Sequence, residues 1–393
     1  MKVLILGIDG YLGFPLAQYL ANRGHEVFGC DALLRRYWVD KVGSQSAIPI
    51  KNNIDRKLAF NDRFNQKLFF KILNIEFYSP VRNLIKFIVP DAIFHLAENP
   101  SAPYSMIGAE EAWEVHRNNL KGTLNVLYAM HEFCPEAHLI KLGTMGEYGT
   151  PSIDIPEGFF TINYRGREDR LPFPRQAGSW YHQTKVHDSN NIMMACRLWG
   201  LRSTDIMQGV VYGTQIDEMQ ENPNLRTRFD FDQCFGTAIN RFCAQAVIGE
   251  PLTPYGKGHQ RRGFLPLRDS MQCLTIALEN PPQFGEYRVF NQFEEVYDLT
   301  ELAYKVQAAG NRKGLKVEIR NIDNPRKELE EHYYNPDHKQ LLDLGYNPTR
   351  DMDSELDIMF EDLIQYRYRI IEKKHVLMPD IRWDGTRKIS NYL

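Results

Sequence analysis

An α/β fold is predicted, a doubly wound parallel sheet with a smaller mixed α/β domain attached, and three observations predict it. The apolar, β-branched run at residues 2–6 reads as a buried parallel strand and leads straight into Gly7-Ile-Asp9-Gly10-Tyr11-Leu12-Gly13, after which Phe14 to Asn22 keep helical spacing. A second strand, Glu26 to Asp31, ends in an acid roughly 20 residues past the glycines, as dinucleotide-binding sheets require. Further apolar runs at 69–73, 92–96, 138–142 and 203–206 alternate with helical stretches such as 114–132 and 181–199.

Each element has a chemical reading. The GxxGxxG spacing permits a tight turn and lets a pyrophosphate approach the backbone at the start of the first helix, a Rossmann-type arrangement. Asp31 accepts from both ribose hydroxyls and repels a 2′-phosphate, which favours NAD over NADP. Arg35 and Arg36 pull the other way, since a nearby arginine can hold a 2′-phosphate; contact with pyrophosphate or solvent is their alternative. Asn74-Ile75 after the third run borders the adenine, and Leu96 to Glu98 after the fourth borders the ribose or nicotinamide, because ligands of such sheets sit at strand C-termini.

Composition narrows the class. The 393 residues allow one or two domains, and a formal net charge of −3 gives no electrostatic reason to expect nucleic acid or an anionic membrane. Six scattered cysteines form neither a disulfide framework nor a metal site. No apolar run approaches the roughly 20 residues of a membrane span, and the first strand leaves no room for a leader peptide. A cytoplasmic protein is expected.

The reacting centre is read from Tyr181-His182-Gln-Thr-Lys185 and from Gly143-Thr144-Met145-Gly146-Glu147 at the end of the 138–142 strand. Tyr181 and Lys185, four apart, share a helix face. An ammonium beside the phenol stabilises the phenolate, giving a base for a sugar hydroxyl whose hydride leaves for nicotinamide. The Thr144 hydroxyl is placed to bond the same sugar hydroxyl, unless it only caps the turn.

Longer strings follow: Ser101-Ala-Pro-Tyr104-Ser-Met106, Lys141 to Pro151, Tyr181 to Asp188, Gln208-Gly-Val-Val211-Tyr-Gly213 and Glu331-His-Tyr-Tyr334-Asn335. On these the chain resembles the extended short-chain dehydrogenase/reductase family, whose epimerases and dehydratases modify nucleotide-linked sugars. The strings resemble the branch that makes a sulfonated nucleotide sugar from UDP-glucose and sulfite. The resemblance implies C4 oxidation by NAD with Tyr181 as base, loss of water across C5–C6, sulfite addition at C6 and C4 re-reduction. It adds Asn119, Gln208 and Val211 to the cofactor contacts, and Ser101, Tyr104 and Tyr334 to those of the substrate.

Dehydratases of the family carry Thr-Asp-Glu after this strand; here the positions are Thr144, Met145 and Gly146, with Glu147 one residue farther on. The acid that would reprotonate C6 is missing or moved, which suits an external nucleophile. His182 is the candidate for proton transfer at C5/C6, or for attracting sulfite as an imidazolium. Glu98-Asn-Pro100 replaces a family pattern with an arginine before Ser101, so a positive charge that could meet sulfite is absent.

The division expected is 1–207 for the cofactor and 208–393 mainly for the nucleotide sugar, with crossover segments returning to the first part. Thr253, Tyr255, Gln260 and Arg262 resemble the family segment that passes the uracil and reaches the diphosphate; Arg326 resembles a second phosphate contact. Gly236, Thr237 and Asn240 open a helix (236–248) facing UDP. The long loop at 214–235 is a lid or a surface insertion. Leu356, Met359, Phe360, Leu363 and Ile370 form one stripe of a helix over 354–371. The tail after Met378 is poorly packed or used in assembly. The resemblance implies a homodimer through helices 114–132 and 181–199, and leaves room for a sulfite-delivering protein. A 4-epimerase, a 4,6-dehydratase and a non-catalytic NAD-sensing regulator remain alternatives.

Overall fold

The computed structural model describes residues 1–326 and 331–383. Its strands in chain order are β1 (Lys2–Leu6), β2 (Glu26–Asp31), β3 (Phe69–Ile72), β4 (Ala92–His95), β5 (His138–Leu142), β6 (Phe159–Tyr164), β7 (Arg167–Pro172), β8 (Arg202–Gln208), β9 (Val210–Tyr212), β10 (Arg262–Pro266), β11 (Tyr287–Gln292) and β12 (Glu295–Tyr297). Seven of them make one parallel sheet in the order β11-β8-β5-β4-β1-β2-β3. Val3 to Leu6 are fully buried because helices cover both faces, which is why β1 is continuously apolar rather than alternating. Register aligns the strand ends: Leu6 pairs with Cys30 on one side and His95 on the other, and Leu142 pairs with Ile206. The Gly7 turn, Asp31, Leu96 and Gly143 therefore emerge at one edge, around the point between β1 and β4 where the strand order reverses.

The second layer of structure is a three-stranded sheet, β12-β10-β9, with the helices Ala238–Ile248, Leu299–Arg312 and Met352–Gln365 packed in its own core. The Ala238–Ile248 helix starts at Thr237, whose side chain accepts from Asn240 N, and stops at Gly249 in the left-handed region (φ 81°). The Leu299–Arg312 helix starts with a full capping box, Asp298 with Glu301. β11 comes from this later half of the chain yet completes the large sheet against β8.

Three expectations change. Leu356, Met359, Phe360, Leu363 and Ile370 are all fully buried, but the helix breaks at Tyr366 into Met352–Gln365 and Arg367–Glu372. The 214–235 segment is not a surface insertion: Thr214, Met219, Leu225, Thr227, Phe229, Phe231 and Asp232 are fully buried between the two cores. The tail returns to the molecule through Trp383, while residues 384–393 lie outside the described ones. The β6–β7 hairpin, exposed along most of its length, was not foreseen, since its mixed polar pattern lacks alternation. No helix among the described residues is long and apolar enough to cross a membrane.

Candidate active site

One cavity of about 630 Å³ runs from the Gly7 turn, across the ends of β1, β4 and β5, to β10 and the Ala238–Ile248 helix. At its cofactor end Gly7 (φ +90°) lies so close to β4 that a side-chain carbon there would sit 2.8 Å from Leu96 and Ala97 backbone atoms, and one at Gly13 would strike the Gly7 carbonyl. The helix Gly13–Ala21 has no side-chain cap at its start, so its first amides remain available to a pyrophosphate. Asp31 faces the cavity and accepts from Leu33 N at 2.6 Å and Asp9 N at 2.9 Å, leaving lone pairs for two ribose hydroxyls. Burial, with the Asp9 charge beside it, pushes its carboxyl up to about 6. Tyr11, Leu12, Gly10, Asn74, Ile75, Leu96, Gln208 and Val211 line the same end, and the donor set fits a dinucleotide.

The two arginines that complicated the NAD assignment have other work. Arg36 grips Asp9, Nε to Oδ2 at 2.7 Å and Nη2 to Oδ1 at 2.8 Å, with the fully buried Arg56 on the same carboxylate. Asp9 and Arg36 therefore turn away from the cavity and brace the glycine turn from behind. Despite its burial, these guanidiniums hold Asp9 below the usual carboxylate range. Arg35 reaches the cavity, but its Nε donates to Asp230 Oδ2 at 2.9 Å, and Arg228 binds the same carboxylate through Nε at 2.9 Å. Both arginines are thus committed to carboxylates, Arg36 to Asp9 and Arg35 to Asp230, rather than standing free beside Asp31 for a 2′-phosphate.

Tyr181 and Lys185 rise from the Trp180–Trp199 helix, which begins at Ser179, whose hydroxyl accepts from His182 N at 3.2 Å, and ends at Gly200. Tyr181, Lys185, Thr144, Met145 and His182 all line the cavity. The Lys185 ammonium lies 6.0 Å from the Tyr181 ring centroid, donates to Leu142 O at 2.5 Å and forms an ion pair with Glu98. Burial pulls Lys185 down to about 8, against the Asp188 and Asp205 charges. Tyr181 is pushed above the ordinary phenol range, by burial first and the Glu147 charge second, against Lys141 and Arg35. The phenolate expected near neutral pH is thus not favoured by the protein's own groups, because desolvation dominates.

Thr144 Oγ1 accepts from Gly146 N at 3.1 Å, capping the turn, and the residue also lines the cavity. His182 Nδ1 meets Ser179 Oγ at 3.0 Å, and its Nε2 lies so near Gly146 that a side-chain carbon there would collide with it. The imidazolium reading is corrected. Burial, with Arg262 and Arg326 nearby, pulls His182 down to about 3, so the ring is neutral.

Four more expected residues stand outside the cavity. Glu147 is fully buried, bonded by Lys141 at 3.3 Å, Arg175 at 2.5 Å and Ser189 at 3.1 Å, so it is not a displaced acid of the site. Tyr104 donates to Glu114 at 2.5 Å and accepts from Lys41 at 2.9 Å. Asn119 spans from Asn99 N at 2.8 Å to Thr184 Oγ1 at 2.9 Å. Thr253 is held by Gln245 Nε2 at 2.9 Å. Each orders a wall rather than meeting a ligand.

At the substrate end, Ser101, Gly236, Thr237, Asn240, Tyr255, Gln260, Arg262, Arg326 and Tyr334 face the cavity. Both amide atoms of the buried Gln260 lack a partner among the described residues, a donor and an acceptor suited to the edge of a base. Arg262 Nη1 lies 2.8 Å from His332 Nδ1. Sequence reading missed Arg241, buried on the cavity wall and donating to Leu377 O at 3.5 Å, and nothing in the pattern separated it from surface arginines.

The comparisons agree with this geometry. A model of the NAD dependent epimerase/dehydratase family matches residues 3–291. The chain is 48% identical over 384 residues to the UDP-sulfoquinovose synthase of Sulfolobus acidocaldarius, covering 98% of both chains. It is 46% identical over 382 residues to the chloroplastic UDP-sulfoquinovose synthase of Spinacia oleracea, covering 97% of this chain and 79% of that one. The solved UDP-glucuronic acid 4-epimerase of Bacillus cereus, in complex with UDP-glucuronic acid and NAD, has the same fold at TM-score 0.67 and 19% identity, over 93% of this chain and 99% of that one. With its glycine turn, Tyr181–Lys185 pair and parallel sheet, the chain belongs to the NAD dependent epimerase/dehydratase family, in the branch of the UDP-sulfoquinovose synthases.

Proposed function

We propose that the chain makes UDP-sulfoquinovose and water from UDP-glucose and sulfite. The observation that carries this reading is the near full-length similarity to two UDP-sulfoquinovose synthases, joined to a cavity where Thr144, Tyr181, Lys185 and His182 meet. NAD held along the Gly7 turn and Asp31 supplies the hydride acceptor for C4 oxidation and the donor for C4 re-reduction. The positive charges of Lys185 and of bound NAD would favour the ionised form of Tyr181, which takes the C4 hydroxyl proton at the start and returns it at the end, with Thr144 bonding the same oxygen. Lys185 holds a positive charge beside the phenol and the ribose. The C4 ketone acidifies C5, so a proton leaves C5 and water leaves C6. Hydrogen sulfite then adds across the enone, its sulfur bonding C6 and its proton going to C5. Neutral His182, steadied by Ser179, is the group beside the vacated Gly146 that moves this proton.

The division of the chain is part of the reading: 1–207 for NAD, 208–393 for the nucleotide sugar, with β11 returning to the large sheet. A homodimer through the two long helices is supported by the exposed Trp113, Leu124 and Tyr128 on one and Trp180, Met194 and Leu198 on the other. The test incubates pure protein with UDP-glucose, with and without sulfite, and seeks the sulfonated nucleotide sugar by mass spectrometry. A sulfite-independent UDP-galactose or 4-keto-6-deoxy product would overturn the reading. A regulator that never turns over substrate is disfavoured by Tyr181 and Lys185 both facing the cavity.

A further inference from the structure

The chain beyond its last helix comes back across the substrate end of the cavity. Gln233 fastens it: its Oε1 accepts from Asp380 N at 2.7 Å and Ile381 N at 3.0 Å, and its own N donates to Val376 O at 2.9 Å. Farther on, Trp383 N donates to Pro325 O at 2.9 Å and Trp383 bridges Arg326 in parallel. Pro379, Ile381 and Trp383 all face the cavity. The Arg326 guanidinium lies 4.6 Å from the Trp383 ring centroid and 5.2 Å from that of Tyr255. Burial first, and the nearby Arg326 charge after it, pull Arg241 down to about 10 against the pull of Tyr255, so the two cations also repel across this end of the cavity.

Aromatic faces hold a guanidinium without consuming hydrogen-bond donors. A carboxylate partner would neutralise the guanidinium and occupy its N–H groups, whereas ring faces attract the cation and leave its planar fork open to phosphate oxygens. We propose that Trp383 is a positioning residue which, with Tyr255, clamps Arg326 in the orientation that binds the diphosphate of the nucleotide sugar, so that the 379–383 strap is part of the substrate site. This rests on the nucleotide-sugar reading above. The strap also couples occupancy to order: a bound diphosphate fixes Arg326, and Arg326 fixes the segment lying on it.

The test titrates UDP, as the probe, into the intact protein by calorimetry. Trp383→Ala should weaken UDP binding about tenfold, while Trp383→Phe, which keeps an aromatic face, stays within about threefold of wild type. In Arg326→Ala the further change Trp383→Ala should cost nothing more, because the two act as one unit. In turnover, Trp383→Ala should raise KM for UDP-glucose with kcat held, and NAD content should stay at the wild-type level. Unchanged UDP affinity in Trp383→Ala, or independent effects of Trp383→Ala and Arg326→Ala, would overturn the clamp. Wild-type protein that fails to bind UDP overturns the nucleotide-sugar reading and the clamp together.

Discussion

The Glu98 carboxylate pairs with the Lys185 ammonium inside the cavity, at side chains only 3% and 4% exposed. Lys185 must be charged to act on the phenol and the ribose, and burial has drawn it down to about 8. Activity should therefore fall as pH rises through that value. Glu98→Gln removes an anion that favours the charged form, so the alkaline limb should move to lower pH. A kcat/KM profile between pH 6 and 10 on both proteins measures it; coincident limbs would show that Glu98 has no electrostatic hold on the site.

Tyr181→Phe keeps the ring and removes the proton acceptor. Turnover should drop by about 10²- to 10⁴-fold, the usual share of a general base, while the purified variant keeps its NAD. Single-turnover rates, read beside cofactor absorbance, separate this from a folding defect.

Asp31 carries a pH-dependent prediction of opposite sign to that of an ordinary paired carboxylate. Its carboxyl titrates near 6 in the fold against 3.8 as the unperturbed value. The cofactor-free fold thus loses stability from this group as pH rises from about 4 to about 6. NAD behaves the other way, because ribose hydroxyls need the ionised acceptor, so NAD binding should weaken as pH falls through 6. Asp31→Ser should abolish that dependence and weaken NAD without creating NADP affinity, because Arg36 stays bound to Asp9. Fluorescence titration with NADH and NADPH at pH 5.5 and 7.5 decides it.

Gly146 stands where a dehydratase has a carboxylate, and the His182 ring fills the space a side chain would need. Gly146→Ala should displace the imidazole and cut kcat by about 10²-fold, with NAD retained. Unchanged turnover would mean that the His182 ring has no required position.

The parallel sheet, the glycine turn, Asp31 and the Tyr181–Lys185 helix were legible because each has a local signature: β-branched runs, spaced glycines, a four-residue interval. Electrostatics was not. That His182 is held well below the ordinary imidazole range follows from its burial first, and then from Arg262 and Arg326, which lie far along the chain and meet it only in the fold. Glu147 looked like a displaced acid because it sits one residue from the expected place, but the short helical turn at Met145–Glu147 carries it behind the wall. Arg241 and Trp383 gave no signal at all, since their roles depend on a helix face and a strap whose positions are set by tertiary packing.

Lys141 is the centre of a buried charge cluster beneath the reacting pair, and it yields the last prediction. It lies on β5 in register with Asp205 on β8, and both are fully buried in strands that sequence reads as apolar. Its ammonium donates to Ser189 Oγ at 2.8 Å and Lys185 O at 3.2 Å, with Glu147 at 3.3 Å and Asp205 at 3.4 Å. Glu147 and Asp205 would remain in low dielectric if this cation were lost, Glu147 with Arg175 and Asp205 with the Ser189 and Tyr287 hydroxyls. Lys141→Met, similar in length but uncharged, should cost about 3–5 kcal/mol of stability, the penalty of breaking a buried pair from one side. Replacing Lys141 together with Glu147 by Met and Gln should recover part of that loss, because it removes one of the stranded charges. Urea unfolding of the single and double variants measures both numbers. Since Lys141 also bonds the carbonyl of Lys185, the single variant should lower kcat under conditions where it remains folded; loss of stability with unchanged kcat would confine the cluster to holding the sheet together.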